Sequence, residues 1–138
     1  MLDTSDLLIN FRSIKDERGT LVVGQRPGSL PFDVVRFFLI RDVPIGTSRG
    51  GHAHRHLHQF LIATSGRIQV DLTDGANEAT VTLHQPDLGL WIPPLMWATE
   101  RYLDSESILL VLASDLFDAE EYIDTLDEVR QLRGNRRD

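Results

Sequence analysis

Short apolar segments recur about every ten residues from Leu7 to Ala113, each closed by glycine, proline or a polar cluster. Many short strands spaced in this way must close on themselves or stack as two sheets to bury their apolar faces. Leu7-Leu8-Ile9 reads as one edge strand, and Lys15 to Gly19 as the turn and loop after it. Leu21 to Val23, the β-branched and aromatic run Val34 to Ile40, and Gln59 to Ala63 follow as strands, with loops over 27–31 and 44–51. Arg67 to Leu72 alternates polar and apolar strictly, so Ile68, Val70 and Leu72 face inward. Asp74-Gly75 turns the chain into Ala79 to Leu83. Leu88 to Ile92 is halted by Pro93-Pro94, which have no amide hydrogen to continue a ladder, and Ser107 to Ala113 supplies the last strand.

Only then does the period change. Ile123, Leu126, Val129 and Leu132 repeat at helical spacing, and Asp118 with Glu121 three residues on resembles a capping box. This predicts one helix over about 118–133 and a frayed basic tail over 134–138. The expected architecture is all-β, a closed or double-sheet antiparallel barrel with one C-terminal helix. Its 138 residues suit one domain spanning 1–138.

Composition narrows the function classes. A formal charge of -7 opposes the phosphate-backbone contacts on which nucleic-acid binders depend. The apolar runs are too short to cross a bilayer as a helix. No cysteine is present, so neither disulfides nor thiolate metal sites arise, and there is no basic segment followed by a long apolar run at the N-terminus. A cytoplasmic protein is the expectation, with a small molecule rather than nucleic acid or membrane as its partner.

The stretch Gly46-Thr47-Ser48-Arg49-Gly50-Gly51-His52-Ala53-His54 is where chemistry concentrates. On an extended strand His52 and His54 share a face, and the glycines before them leave room for something other than protein. Gly46, five residues, His52-Ala53-His54, four residues, Gln59, six residues and Gly66 resembles the first cupin motif, with Gln59 where cupins carry glutamate. The histidine that ends the second motif is replaced by Ala98. Two of the four cupin metal ligands are therefore absent, and an amide is a poor substitute for a carboxylate, so no metal is expected.

More of the chain resembles a narrower family, the cupin sugar 3,4-ketoisomerases that act on thymidine-diphosphate-linked 4-keto-6-deoxyglucose. The resemblance rests on Asp16 to Leu21, Arg49-Gly50-Gly51-His52-Ala53-His54, Gln59 to Ile62, Gly89-Leu90-Trp91, Val111 to Asp115 and Glu121-Tyr122-Ile123. It implies a cupin-type double-stranded β-helix, a homodimer, no cofactor and no metal. The implied reaction moves a ketone from C4 to C3, with His52 as base at C3, His54 as acid toward C4, and Arg49 as donor to the enolate oxygen. Arg36, Gln59, Arg18, Phe38, Trp91 and Trp97 are the expected substrate-facing residues. Two departures stand out: family members often carry tyrosines where this chain has Phe37-Phe38, and a histidine where it has Ala98. They keep one rival open, a nucleotide-sugar binder without activity; a metal-dependent cupin oxygenase is a third and less favoured reading. His56, His58 and His84 are read as surface or loop residues, and either tryptophan as packing or ligand contact.

Overall fold

A computed structural model describes residues 1–136, the last of them by its backbone. In chain order the strands are β1 (Leu8–Asn10), β2 (Arg12–Asp16), β3 (Gly19–Val23), β4 (Arg36–Ile40), β5 (Ser48–His54) and β6 (Gln59–Ser65). There follow β7 (Ile68–Thr73), β8 (Glu78–Leu83), β9 (Leu88–Ile92), β10 (Trp97–Tyr102), β11 (Ile108–Ala113), β12 (Tyr122–Ile123) and the helix α1 (Leu126–Arg136).

Two antiparallel five-stranded sheets, ordered β1-β9-β6-β11-β4 and β12-β5-β10-β7-β8, face one another, and β2 and β3 form a separate hairpin. Successive strands from β4 to β11 mostly alternate between the sheets, which is the cupin-type jelly roll. The core lies between the sheets. Ile68, Val70 and Leu72 of β7 are at most 1% exposed, as their alternation requires, and they meet Leu61, Leu90, Leu109 and Val111 from the opposite sheet.

Several elements differ from the sequence reading, among them β5, which begins at Ser48 inside the loop expected over 44–51. The N-terminal region holds three strands, because Gly19, at φ +128, turns β2 back on β3 where a loop was expected. Residues 97–102 form β10, a full strand between β5 and β7 that the sequence reading passed over. Its register with β5 shifts between Ala98 and Thr99, and the preceding prolines mask its start.

The helix begins at Leu126 rather than near 118. Asp118 does act as a cap, accepting the Glu120 amide at 3.0 Å, but it caps a single 3-10 turn over Ala119–Glu121. Ile123 then pairs with Ala53 in β12, and Thr125 starts α1 by accepting the Glu128 amide at 3.3 Å. Gly134 to Arg136 belong to the helix, while positions 137 and 138 of the expected tail lie outside the described residues. No helix among the described residues is long and apolar enough to cross a membrane.

Candidate active site

Strand β5 builds the site through an irregularity. Ala98 of β10 lies opposite His52 and the next residue, Thr99, lies opposite Gly50, so Gly51 is an extra residue on β5. Such a bulge shifts side-chain parity by one. Arg49 and His52, three apart in sequence, are thereby brought to one cleft. Gly50 and Gly51 take φ of +83 and +77, a left-handed conformation that glycine adopts without strain.

Past the bulge the strand is regular. Ala53 turns to the other side, fully buried against Leu95, Ile123 and Val129, and helix α1 thus backs the strand. His52 and His54 share the near side, their rings edge to face at 5.1 Å. Tyr122, which pairs with His54 across β12, stands against both rings at 4.7 and 4.8 Å.

Their surroundings differ. His52 opens into a cleft of about 130 Å3 between the sheets, bounded by Phe38, Ile40, Arg49, Gly50, Gln59, Glu100, Val111 and Tyr122. His54 is 4% exposed, and among the described residues neither of its ring nitrogens has a hydrogen-bond partner. Burial, reinforced by His52 and the Arg36 charge, holds the His54 pKa down at about 4 against the pull of Glu121. Burial also lowers His52, partly offset by the Gly50 backbone and Asp124. Both rings are neutral at neutral pH, which suits a base.

The neighbouring strand β10 carries a group the sequence reading missed. Glu100 lies across the ladder from Arg49 and projects into the cleft. Burial raises its carboxyl to about 7, although its own backbone amide and the Arg49 charge both favour ionisation. Beyond it on β10, burial and the nearby Glu100 push the Tyr102 phenol upward. Had Trp97 to Tyr102 been read as a strand, the shared parity of Ala98, Glu100 and Tyr102 would have exposed an acidic residue on an inward face. Tyr122 was present in the family-like segment but not singled out.

Of the other expected substrate-facing residues, the structure gathers some and disperses others. Phe38 and Gln59 line the cleft. Arg36 sits at its border, 5.4 Å over the Phe38 ring, with Nε donating to the Asp115 carbonyl at 3.1 Å. Trp91 is drawn away: it packs between two core clusters and its Nε1 donates to His58 Nδ1 at 3.0 Å. Trp97 packs toward Ala53 and α1, on the side of β5 away from the histidines. Arg18 lies on the β2–β3 hairpin, bound to Asp16 at 2.7 Å. In this chain neither tryptophan nor Arg18 bounds the cleft. His56 meets Glu121 at 3.3 Å, outside the end of β5. Among the described residues no three His, Asp or Glu side chains converge as a metal cage would require.

Residues 4–134 match the protein family described as FdtA: WxcM-like, C-terminal. The chain belongs to this family. It is 36% identical over 124 residues, 90% of this chain and 89% of the relative, to the TDP-4-oxo-6-deoxy-alpha-D-glucose-3,4-oxoisomerase of Aneurinibacillus thermoaerophilus. Among solved structures, the TDP-quinovose 3,4-ketoisomerase WlaRB of Campylobacter jejuni is 39% identical with a TM-score of 0.85, over 90% of this chain and 95% of that one. The sugar 3,4-ketoisomerase QdtA of Thermoanaerobacterium thermosaccharolyticum, solved with TDP, is 34% identical with a TM-score of 0.87, over 94% of each chain. Members of the FdtA family so matched are isomerases of nucleotide sugars.

Proposed function

We propose that this chain is an isomerase that moves the keto group of a nucleotide-linked, TDP-type 4-keto-6-deoxyhexose from C4 to C3. The observation that carries the reading is a neutral imidazole pair whose outer ring, His52, opens beside an arginine into a cleft, in a chain so similar to named 3,4-ketoisomerases. His52, the ring that reaches the cleft, removes the C3 proton. Its imidazolium is more acidic than an exposed one because burial disfavours the charge, so the pair returns a proton to C4, with His54 edge-on behind it. Arg49 stabilises the enolate oxygen, and Arg36, Gln59 and Phe38 border the bound sugar nucleotide.

The enzyme works without metal or cofactor, in the cytoplasm, on the route to an aminated deoxysugar, and as a homodimer. Support for a second copy comes from edge strand β4, whose outward residues Phe37 and Leu39 are 66% and 54% exposed. Incubating the protein with TDP-4-keto-6-deoxyglucose in deuterated water and following the sugar by proton NMR tests the reading. A 3-keto product with exchanged ring protons is expected. Tight binding without exchange or isomerisation would leave a nucleotide-sugar binder in its place.

A further inference from the structure

Moving a ketone between neighbouring carbons displaces two kinds of proton. One leaves C3 and one reaches C4; a second must be added to O4 and removed from O3. The imidazole pair accounts for the carbon protons. Something else must serve the oxygens. Among the residues that bound the cleft, Phe38, Ile40 and Val111 hold no exchangeable side-chain proton, while Gln59, Tyr122 and Glu100 do. Of these three groups a carboxyl is the one that both gives and takes a proton most readily near neutral pH when burial raises it.

We infer that Glu100 is a catalytic residue, a carboxylic acid that carries the hydroxyl proton between O4 and O3 of the sugar. The inference rests on the isomerase reading above. As His52 takes the C3 proton, the C3–H electron pair forms the C3=C4 bond, the C4=O π pair moves to O4, and protonated Glu100 gives its proton to O4. The result is an enediol, an imidazolium and a carboxylate. The carboxylate then takes the O3 proton, C3=O forms, and the double-bond pair takes the proton returned to C4. Both groups end as they began, and no further reactant is needed.

Geometry supports this assignment. Glu100 faces Arg49 across the ladder and borders the same cleft as His52, with Val70 as its opposite neighbour on β7. A methyl group on Gly50 would run into the Glu100 carboxyl and lie 2.9 Å from the Ala98 carbonyl, so the bulge glycine makes the space this side chain uses. Its carboxyl forms no ion pair within bonding distance among the described residues. The ionisable groups around it are Arg49 and His52 on β5, Tyr102 on its own strand and Tyr122 on β12. A carboxyl raised to about 7 is present in both protonation states at neutral pH, as a group that gives and takes must be.

The test compares the wild type with Glu100→Gln and Glu100→Asp on TDP-4-keto-6-deoxyglucose, from about pH 5 to about pH 9. Glu100→Gln is expected to lower kcat by about 10²- to 10³-fold with KM nearly unchanged, and to flatten the limb of the pH profile near 7. Glu100→Asp should recover part of the rate and keep a limb. An active wild type whose Glu100→Gln variant keeps its kcat and pH profile overturns the role of Glu100 and leaves the isomerase reading standing. An inactive wild type overturns both. Should Glu100→Gln fail to fold, 13C NMR titration of the wild-type glutamates decides, because a Glu100 carboxyl ionising in the ordinary range near 4.5 also overturns the inference.

Discussion

Strands β5 and β10 are neighbours in one sheet and border one cleft, yet they put opposite chemistry there. On β5, dehydration removes a proton from the imidazoles and leaves a base. On β10, dehydration puts a proton on the Glu100 carboxyl and leaves an acid. One physical cause, the cost of charge away from water, thus prepares both halves of a proton-transfer site. Arg49 lies on the β5 side with its charge directed at the acid, which limits how far the carboxyl rises. The contrast teaches that a cleft need not hold groups of opposite charge to hold an acid and a base. Two groups that each resist ionisation are enough.

Removing the base should break the comparison most. His52→Asn is isosteric enough to keep the strand, and on TDP-4-keto-6-deoxyglucose it is expected to cut isomerisation and deuterium exchange at C3 by about 10³-fold. Equal exchange in variant and wild type would move the base elsewhere. Next comes the bulge that aligns the two walls. Gly50→Ala places a Cβ against Glu100 and the Ala98 carbonyl at a backbone φ of +83. A loss of about 3 kcal/mol is expected from strain and crowding together, read by chemical denaturation.

Acidity offers a subtler probe, because the two walls act on stability in opposite directions. The folded His54 pKa lies below its ordinary value of 6.5, at about 4, so the unfolded chain binds the proton more readily. Stability should therefore fall as pH drops from about 6.5 toward 4, by about 3 kcal/mol at most. Folded Glu100 has its pKa raised from 4.5 to about 7, so here the folded chain binds the proton more readily. Its contribution should fall as pH rises from 4.5 to 7, by about 2 kcal/mol, since the cleft admits some water. Between about pH 4.5 and 6.5 the two slopes oppose each other, so His54→Asn should leave stability falling as pH rises and Glu100→Gln should leave it falling as pH drops. Melting temperatures across pH would show whether each variant unmasks the slope of the other group.

The sequence disclosed one wall and concealed the other for physical reasons. His52 and His54 at alternate positions, with Ala53 between them, follow the two-residue period of a strand, and the structure keeps them on one side. Residues 67–72 likewise carry their alternation openly, and the inward side chains are those expected. Glu100 was hidden because the β10 segment has few β-branched residues, follows two prolines, and pairs across a bulge that belongs to β5. The bulge also explains why Arg49 reaches the cleft, which spacing on an even strand would have denied it. Trp91 and Trp97 could not be placed from residue type alone, since an indole packs into a core as well as onto a sugar, and here both pack.

The smallest effect concerns what lies behind each wall. Strand β10 is flanked by β5 and β7 within the sheet, whereas β5 has α1 behind Ala53 and only the two-residue β12 at its edge. Helix α1 starts at Thr125, whose Oγ1 accepts the Glu128 amide at 3.3 Å, and Glu128 in turn holds Arg55 at 2.7 Å. A lost N-cap typically costs about 1 kcal/mol. Thr125→Ala should therefore lower global stability by about that amount through fraying of the first turn, while Val129 still covers Ala53. Hydrogen exchange gives the sharper readout. Protection should fall at the β5 amides between Ala53 and His54 and remain unchanged over Thr99 to Tyr102 of β10, because on that strand Trp97 alone packs toward the helix. An equal loss of protection on both strands would mean that the two walls unfold as one unit, and that their contrast is chemical alone.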